Sequence, residues 1–353
     1  MNRPFQAPRE TGLSIIVCTY NGAPRMKKVL DFIAGQEEAD ELPWELLIVD
    51  NASCDDTVEV IYANWPSRLS DRIRVVHESR PGVIYARIRG CREARFDCVS
   101  FVDDDNWISS NWVAETMSVF SSHPEVALIH VKSVGHYNNP PETPFEHFND
   151  WLAVGAKHTK AGVVETDKPV SYWTAGLSVR LKALRFLDHP EFEMTLVGRT
   201  GQTTLGGDDH ELCLCIMLGG WKAYYLDSAY FTHDISEIRL RREYITKLVQ
   251  NAGLSRRILN EYRSHFDPSK YPKGRRLFLQ VVAVALTRHV AYFWKKSFGL
   301  LPPGVSPNEM SYRLSRGRFI GFFSTSERLP QVRKNIEIAS SFSPITNSNI
   351  DNK

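Results

Sequence analysis

Three short polar segments, each with at least one carboxylate, have the residue types that metal and acid–base chemistry require. The first is Asp103-Asp104-Asp105. This run follows the apolar residues 98–102, so it stands at the end of a predicted buried strand. Adjacent carboxylates repel one another, and their desolvation is costly unless a cation is present. Magnesium takes hard oxygen ligands and often bridges a carboxylate to substrate phosphates. The run predicts a site for Mg²⁺ or Mn²⁺, with a solvated acidic turn as the alternative.

The second run is Asp50-Asn51, which follows the largely apolar residues 45–49. A carboxylate at this point can accept hydrogen bonds from a nucleobase edge or a ribose hydroxyl. The alternative is a turn or helix-capping role, which Asp and Asn fill routinely. Both interpretations stay open at this point.

The third run is Asp208-Asp209, which precedes an apolar helical segment, residues 212–218. One of these carboxylates is a candidate general base for an acceptor hydroxyl, and the pattern leaves open which one. The preceding Gly206 and Gly207 permit a substrate to approach closely. The alternative is that both carboxylates only stabilise the helix start through the dipole.

One histidine and several arginines complete the set of chemically interesting side chains. His233 follows a short predicted strand and is a candidate metal or phosphate ligand, or else a structural hydrogen-bonding group. The arginines Arg239, Arg241 and Arg242 have the chemistry to bind a diphosphate, with a solvated helix face as the alternative.

The elements that must position these residues alternate between strand and helix. We predict strands at 14–18, 45–49, 72–77 and 98–102, and helices at 24–33, 58–64 and 83–95. This alternation indicates a mostly parallel, Rossmann-like doubly wound sheet, whose ligands lie beyond the carboxyl ends of the strands. The clusters Thr19-Tyr20-Asn21, Asp50-Asn51 and Asp103-Asp104-Asp105 all follow predicted strands, so we expect them to converge.

Composition narrows the class of protein. A net charge of +2 disfavours a dedicated nucleic-acid-binding protein, which usually carries a strong basic bias. Six cysteines in 353 residues do not form a disulfide framework, and no apolar run precedes Leu13, so we expect no secretory signal and a cytoplasmic location. The loop signatures of P-loop, dinucleotide-binding and serine-esterase enzymes are absent from the sequence.

Residues 277–294 form an apolar segment that Arg288 and His289 interrupt, so we do not expect it to span a bilayer. Two interpretations stay open. The segment is either a core or homodimer helix, or it lies on an anionic membrane. The second would use the basic residues at both ends, which are Arg275, Arg276, Lys295 and Lys296.

The motifs in order resemble the family 2 inverting glycosyltransferases with a GT-A fold, over residues 13–234. The resemblance rests on the segments 14–21, 47–53, 82–90, 101–105, 173–176 and 207–212. It divides the chain into a tail (1–11), a GT-A domain (12–235), a helical C-terminal region (236–339) and a disordered tail (340–353).

The resemblance implies a role for each matching position. Asp209 would be the catalytic base, and the metal would be held by Asp105 and His233. The sugar or acceptor pocket would include Trp173, Gly176 and Asp208. The residues expected at the donor are Thr19, Tyr20, Asn21, Asp50, Asn51, Arg87, Asp103 and Asp104.

The resemblance also implies an activity. The chain would transfer a sugar from a nucleoside-diphosphate sugar to a hydroxyl on a saccharide or lipid-linked acceptor in surface polysaccharide synthesis. It would use Mn²⁺ or Mg²⁺ and work in the cytoplasm or on the inner face of the membrane. The alternatives are a nucleotidyltransferase and a non-catalytic nucleotide-sugar-binding protein on the same scaffold.

Overall fold

The computed structural model describes residues 4–5, 7, 9–139, 145–164, 169–198, 205–298 and 306–342. Within them, nine strands form one sheet in the order β3-β2-β1-β4-β8-β6-β9-β5, with β7 paired to β9. The strands β1 to β9 are Glu10–Thr19, Trp44–Asp50, Ile73–His77, Phe96–Asp103, Asn106–Ile108, Val126–His136, Gly162–Val164, Ser178–Arg180 and Lys222–Asp234.

Helices cover the sheet and continue beyond it. The helices α1 to α10 are Ala23–Ala34, Thr57–Asn64, Val83–Glu93, Trp112–Ser122, Asp208–Leu218, Glu237–Leu240, Arg242–Phe266, Gly274–Ser297, Pro307–Ser324 and Leu329–Ser341. The predicted disordered tail, 340–353, lies mostly outside the described residues, although α10 reaches Ser341.

The first half of the sheet matches the predicted parallel arrangement. Strands β1, β2, β3 and β4 pair in parallel, connected by α1, α2 and α3. The middle residues of β1 and β2 are buried and mainly apolar because helices cover both faces of a parallel sheet. Helix α3 packs closely because Gly90 has no side chain to strike Ile16, which a Cβ there would approach to 2.6 Å.

The second half of the sheet is mixed, although the long ladders of the whole sheet are parallel, as predicted. Strand β8 runs antiparallel to both β4 and β6, and β5 runs antiparallel to β9. Strand β9 itself lies parallel to β6. The reason is local, since β5, β7 and β8 are only three residues long and lack the crossover helix that parallel neighbours need.

The C-terminal helices share a core with the sheet domain. Tyr262 of α7 and Val332 and Ile336 of α10 belong to the same buried cluster as Leu212 and Cys213 of α5. The predicted boundary at residue 235 therefore crosses a continuous core, although a helical C-terminal region is confirmed.

Helix α8 lies on the surface, so the expectation of a core helix is wrong. Its buried side chains are Leu277 and Tyr292, and Tyr292 stacks on Tyr312 of α9, whereas most of the others are exposed. The helix is long and apolar enough to cross a membrane, and 11% of its most apolar stretch is buried. The homodimer alternative stays a prediction.

Candidate active site

The carboxyl ends of three neighbouring strands bring the predicted clusters to one edge of the sheet. Thr19 lies beside Asp50 in the β1–β2 pair, and Cys18 lies beside Asp103 in the β1–β4 pair. Because β2, β1 and β4 are adjacent, the polar residues that follow them open on the same side. The predicted convergence of these three strand ends is confirmed.

Asp104 is tied to the end of β1. Its Oδ2 accepts hydrogen bonds from Thr19 Oγ1 at 2.7 Å and from the Arg25 guanidinium at 2.6 Å. Burial raises the pKa of Asp104, and the bonds from Arg25 and Thr19 partly offset that rise. Sequence reasoning missed Arg25, whose signal was its place next to Pro24 in the first turn of a helix that follows the first strand.

The side chains of Asp105 and His233 both contact the guanidinium of Arg239. Arg239 lies 3.0 Å from Asp105 Oδ2 and 2.8 Å from His233 Nε2. His233 Nδ1 lies 2.8 Å from the Leu152 carbonyl oxygen, so we assign the proton to Nδ1 and the lone pair to Nε2, which accepts from Arg239. Burial works to raise the pKa of Asp105, but His233 and Arg239 outweigh it and lower that pKa.

Strand pairing explains how residues 128 positions apart meet in this way. Asn106 pairs with His233 in the antiparallel β5–β9 ladder, and the Asp234 N–H donates to the Asp105 carbonyl oxygen at 2.8 Å. The Asp103-Asp104-Asp105 run ends β4 and leads into β5, so this ladder places its last carboxylate against β9.

Asp105 and His233 fit a divalent cation. A histidine ligand commonly donates its other ring N–H to a backbone carbonyl, as His233 does here. Asp105 Oδ2 lies 3.6 Å from His233 Nε2, close enough for the two atoms to share one ion. Across the described ranges, no group of three or more His, Cys, Asp and Glu could hold a metal. The chain would thus supply two ligands, and diphosphate oxygens and water would supply the others.

Arg87 links the acidic run to the start of α5. Its guanidinium lies 3.1 Å from Asp103 Oδ1 and 3.4 Å from Asp208 Oδ2. Burial works to lower the pKa of Arg87, but the two carboxylates outweigh it and raise that pKa. Burial, followed by the charge of Asp209, raises the pKa of Asp208 to about 6.

Asp208 and Asp209 differ in their surroundings at the first turn of α5. Asp208 is buried against Arg87, whereas Asp209 is half-buried and its Oδ1 accepts a hydrogen bond from the His210 N–H at 2.8 Å. The helix begins after Gly207, whose φ of 109° is in the left-handed region. Asp209 stays partly exposed and, among the residues that the structure describes, forms no ion pair with Arg87, unlike Asp208.

The two residues at the end of β2, Asp50 and Asn51, have different hydrogen-bond partners. Asp50 Oδ2 lies 3.1 Å from His77 Nδ1, and its Oδ1 accepts from the Ser53 N–H at 3.1 Å. Asn51 instead uses its amide to hold the loop before α3, donating to the carbonyls of Glu78 and Arg80. Its amide oxygen also accepts from the Gly82 N–H at 3.0 Å.

The end of β1 exposes one aromatic ring. Tyr20 is 58% exposed, so its ring is free to stack on a base. Asn21 has a φ of 47°, and its side chain accepts a hydrogen bond from the Cys54 N–H at 2.8 Å. Asn21 therefore joins the β1 loop to the β2 loop.

The predicted acceptor pocket holds one close-packed glycine. A Cβ on Gly176 would lie less than 3.0 Å from the Phe231 ring, so this glycine admits β9 beside it. The Lys157 ammonium lies 4.2 Å from the centre of the Trp173 ring, which is a cation–π contact that the sequence did not reveal. The acceptor role of Trp173 and Gly176 stays a prediction.

The sequence is similar to that of one known protein family. Residues 14–172 match the model of glycosyl transferase family 2. The uncharacterized glycosyltransferase EpsJ of Bacillus subtilis (strain 168) is 33% identical over 98 residues, which is 28% of this chain and 27% of EpsJ. The putative glycosyltransferase EpsH of the same organism is 22% identical over 116 residues, 33% of this chain and 32% of EpsH. The chain thus aligns with about a third of each relative's length.

The fold itself is shared with a solved enzyme. The mannosyltransferase PcManGT from Pyrobaculum calidifontis, solved in complex with GDP-Man and Mn²⁺, superposes with a TM-score of 0.52 at 18% identity. The superposition covers 99% of this chain and 90% of that one. Residues 14–172 therefore match family 2 glycosyltransferases, and the chain has a GT-A fold. The matched residues include the strand ends at Thr19, Asp50 and Asp103.

Proposed function

We propose that this glycosyltransferase is inverting and metal-dependent, and that its donor is a nucleoside-diphosphate sugar. The observation that carries the proposal is the buried Arg87, which binds Asp103 at the end of β4 and Asp208 at the start of α5. This pairing links the acidic run to the start of α5, where Asp209 is the next residue. It therefore supports a proposal in which the base and the metal share one cleft.

The donor half of the cleft is built from the strand ends. Asp50 offers a carboxylate to the nucleoside, and the exposed Tyr20 ring offers a stacking surface. Asp104, half-buried beside Thr19 and Arg25, is our candidate acceptor of a hydrogen bond from a ribose or sugar hydroxyl. The PcManGT complex with GDP-Man and Mn²⁺ supports a nucleoside-diphosphate sugar as the donor class.

The metal half is built from Asp105 and His233. A divalent ion bound there supplies positive charge to the diphosphate as it leaves. Arg239 already holds a positive charge between these two side chains. When the ion and diphosphate bind, this guanidinium is well placed to turn to the diphosphate oxygens, since arginine binds such groups in a bidentate manner.

Asp209 is our candidate for the general base. Asp208 is buried and bound to Arg87, so its carboxylate is not free to reach an acceptor hydroxyl. Asp209 takes the proton from the acceptor hydroxyl as the oxygen attacks the anomeric carbon, and the bond to the diphosphate breaks on the opposite side. A single displacement of this kind inverts the anomeric configuration.

We propose a saccharide or lipid-linked saccharide as the acceptor, in surface polysaccharide synthesis. The chain would work in the cytoplasm or on the inner face of the membrane. Support comes from the long exposed apolar helix α8, which suits an enzyme whose acceptor is held at a lipid surface.

The test combines binding with turnover. The protein is screened by thermal shift against a panel of nucleotide sugars with Mn²⁺, and each hit is assayed for hydrolysis and transfer with and without EDTA. We expect one donor to stabilise the protein and to be turned over only when the metal is present. Binding without turnover would favour the non-catalytic alternative, and turnover unaffected by EDTA would remove the metal from the proposal.

A further inference from the structure

Helix α8 presents a continuous apolar face to solvent. At 100° per residue, Leu279, Leu286, Val290 and Trp294 fall within one narrow stripe, and their side chains are 56%, 62%, 68% and 57% exposed. The buried side chains of the helix, Leu277 and Tyr292, lie on the opposite side. The stripe therefore points directly away from the protein.

The opposite side of α8 is held firmly to α9. Tyr292 stacks on Tyr312 with ring centres 4.5 Å apart, and the Phe278 ring contacts Phe322 at 5.4 Å. These contacts lie near the two ends of α8, so the helix is attached to α9 along its length. Because one side of α8 is covered by protein, only its outer face is free to meet an apolar environment.

Aromatic side chains widen the apolar face at both ends. Phe319 and Phe323 of α9 are 39% and 55% exposed and lie next to each other near the start of α8. At the other end Trp294 packs on Phe298, which is 65% exposed. Aromatic rings are enriched where apolar tails meet polar headgroups.

The charged residues of α8 and of the segments that flank it in sequence are all basic. Residues 268–308 contain no Asp or Glu. The same stretch carries a set of basic residues, which are Lys270, Lys273, Arg275, Arg276, Arg288, Lys295 and Lys296. Except for Arg288, they cluster near the two ends of α8 and leave the apolar stripe between them.

We propose that this face binds the surface of a bilayer containing anionic lipids, with α8 lying in the plane of the interface. The stripe enters the acyl boundary, and the basic ends contact acidic headgroups. A second copy of the chain fits less well. Both ends of α8 are basic, so two copies packed face to face would bring like charges together in either orientation.

Vesicle binding tests the proposal with the full-length protein. We expect co-sedimentation with phosphatidylglycerol–phosphatidylcholine vesicles, and weaker binding to pure phosphatidylcholine or at high salt. The double substitution Leu286→Glu with Val290→Glu is expected to weaken binding at least about tenfold, because two exposed apolar side chains no longer enter the lipid. The double substitution Arg275→Gln with Arg276→Gln should reduce binding to the anionic vesicles alone.

Two controls make the result specific. Tyr62→Glu changes an exposed aromatic residue on α2 in the same way and should leave vesicle binding unchanged. Lipids brominated in the upper acyl chain should quench the fluorescence that is lost in Trp294→Phe, since Trp294 is the most exposed of the described tryptophans.

Other outcomes would overturn the proposal. Equal binding by the wild-type protein and the Leu286→Glu, Val290→Glu variant would show that this face does not contact lipid. Absence of vesicle binding, together with a dimer in light scattering that this variant dissociates, would assign the face to a second copy. Neither result depends on glycosyl transfer, so the proposed activity stands or falls separately.

Discussion

At the scale of single residues, two neighbouring carboxylates have different environments. Asp208 is buried and paired with Arg87, while the next residue, Asp209, is half-buried and open to the cleft. The pKa of Asp208 is raised by burial first and then by the charge of Asp209. This difference supports our proposal that Asp208 organises the site and that Asp209 acts on the acceptor.

We therefore expect Asp209→Asn to lower kcat by about a thousandfold, the contribution of a positioned general base. Donor affinity should change little, because the carboxylate acts on the acceptor hydroxyl. Initial rates and isothermal titration with the donor measure the two effects. The matched variant Asp208→Asn should lose binding or stability more than chemistry, and a larger loss of kcat in that variant would reverse the assignment.

Arg239 provides a second residue-scale prediction. Its guanidinium lies 3.0 Å from Asp105, so it competes with a cation for the same carboxylate. Arg239→Ala should therefore tighten binding of Mn²⁺ to the nucleotide-free protein and weaken binding of the diphosphate donor. Electron paramagnetic resonance of free Mn²⁺ and donor titration report the two effects. Arg241→Ala, an exposed neighbour, is the control, and identical metal affinity in all three proteins would contradict this role.

At the scale of elements, glycines determine how closely α7 and α9 approach. Cβ atoms added to Gly317 and Gly321 of α9 would lie less than 3.0 Å from the backbone carbonyls of Gln250 and Leu254. A Cβ on Gly253 of α7 would meet the Leu314 carbonyl of α9 at 2.5 Å. Gly317 and Gly321 lie four residues apart and therefore on one face of α9. Close packing of the two backbones thus requires the absence of side chains.

Gly317→Ala is expected to lower the free energy of unfolding by about 2 kcal/mol, because backbone atoms cannot move aside as a flexible side chain would. Urea denaturation measures the change. Arg316→Ala, at the adjacent exposed position of the same helix, should be within about 0.5 kcal/mol of the wild type. If both variants unfolded alike, close backbone approach would not be what limits this interface.

At the scale of the whole molecule, the C-terminal helices hold α5 in place. Glu211 of α5 is fully buried and accepts hydrogen bonds from the Tyr262 hydroxyl of α7 at 2.6 Å and from Thr195 and Leu196. Tyr262 in turn accepts a hydrogen bond from Asn335 of α10 at 3.1 Å. The start of α5, with Asp209, is therefore held by residues that are up to 126 positions away.

A buried histidine makes the stability of the molecule depend on pH. His130 stacks on Tyr172 with ring centres 4.4 Å apart, and neither ring nitrogen has a hydrogen-bond partner within the described part of the chain. Burial, followed by the charges of His158 and Lys157, lowers the pKa of His130 to about 3. Its neutral form is therefore favoured in the folded state.

The pKa of this histidine is lower in the folded state than the unfolded value of 6.5. The contribution to stability is complete above pH 6.5 and is lost as the pH falls toward 3. Between pH 6.5 and 4.5 the loss is about 2 kcal/mol. His130→Phe should reduce this loss in urea denaturation at the two pH values, while His265→Phe, at an exposed position, should not. An unchanged pH dependence in His130→Phe would show that other groups cause it.

Much of this protein follows from local sequence alone. Apolar runs ended by Thr19, Asp50 and Asp103 are enough to predict buried parallel strands and polar residues gathered at one edge. This works because in a parallel sheet the direction of each strand already decides where its carboxyl end lies. The helical C-terminal region is predictable for a similar reason, since its periodicity is local.

Tertiary structure alone decides which distant residues meet. The antiparallel β5–β9 ladder, in which β5 has only three residues, brings His233 next to Asp105. The buried Arg87 forms its ion pair with Asp208 and not with Asp209. Such choices depend on long-range pairing and on burial, which no local pattern records. The surface position of α8 also depends on tertiary structure. The sequence of an apolar helix is the same whether it packs in a protein core, against a second copy or on lipid.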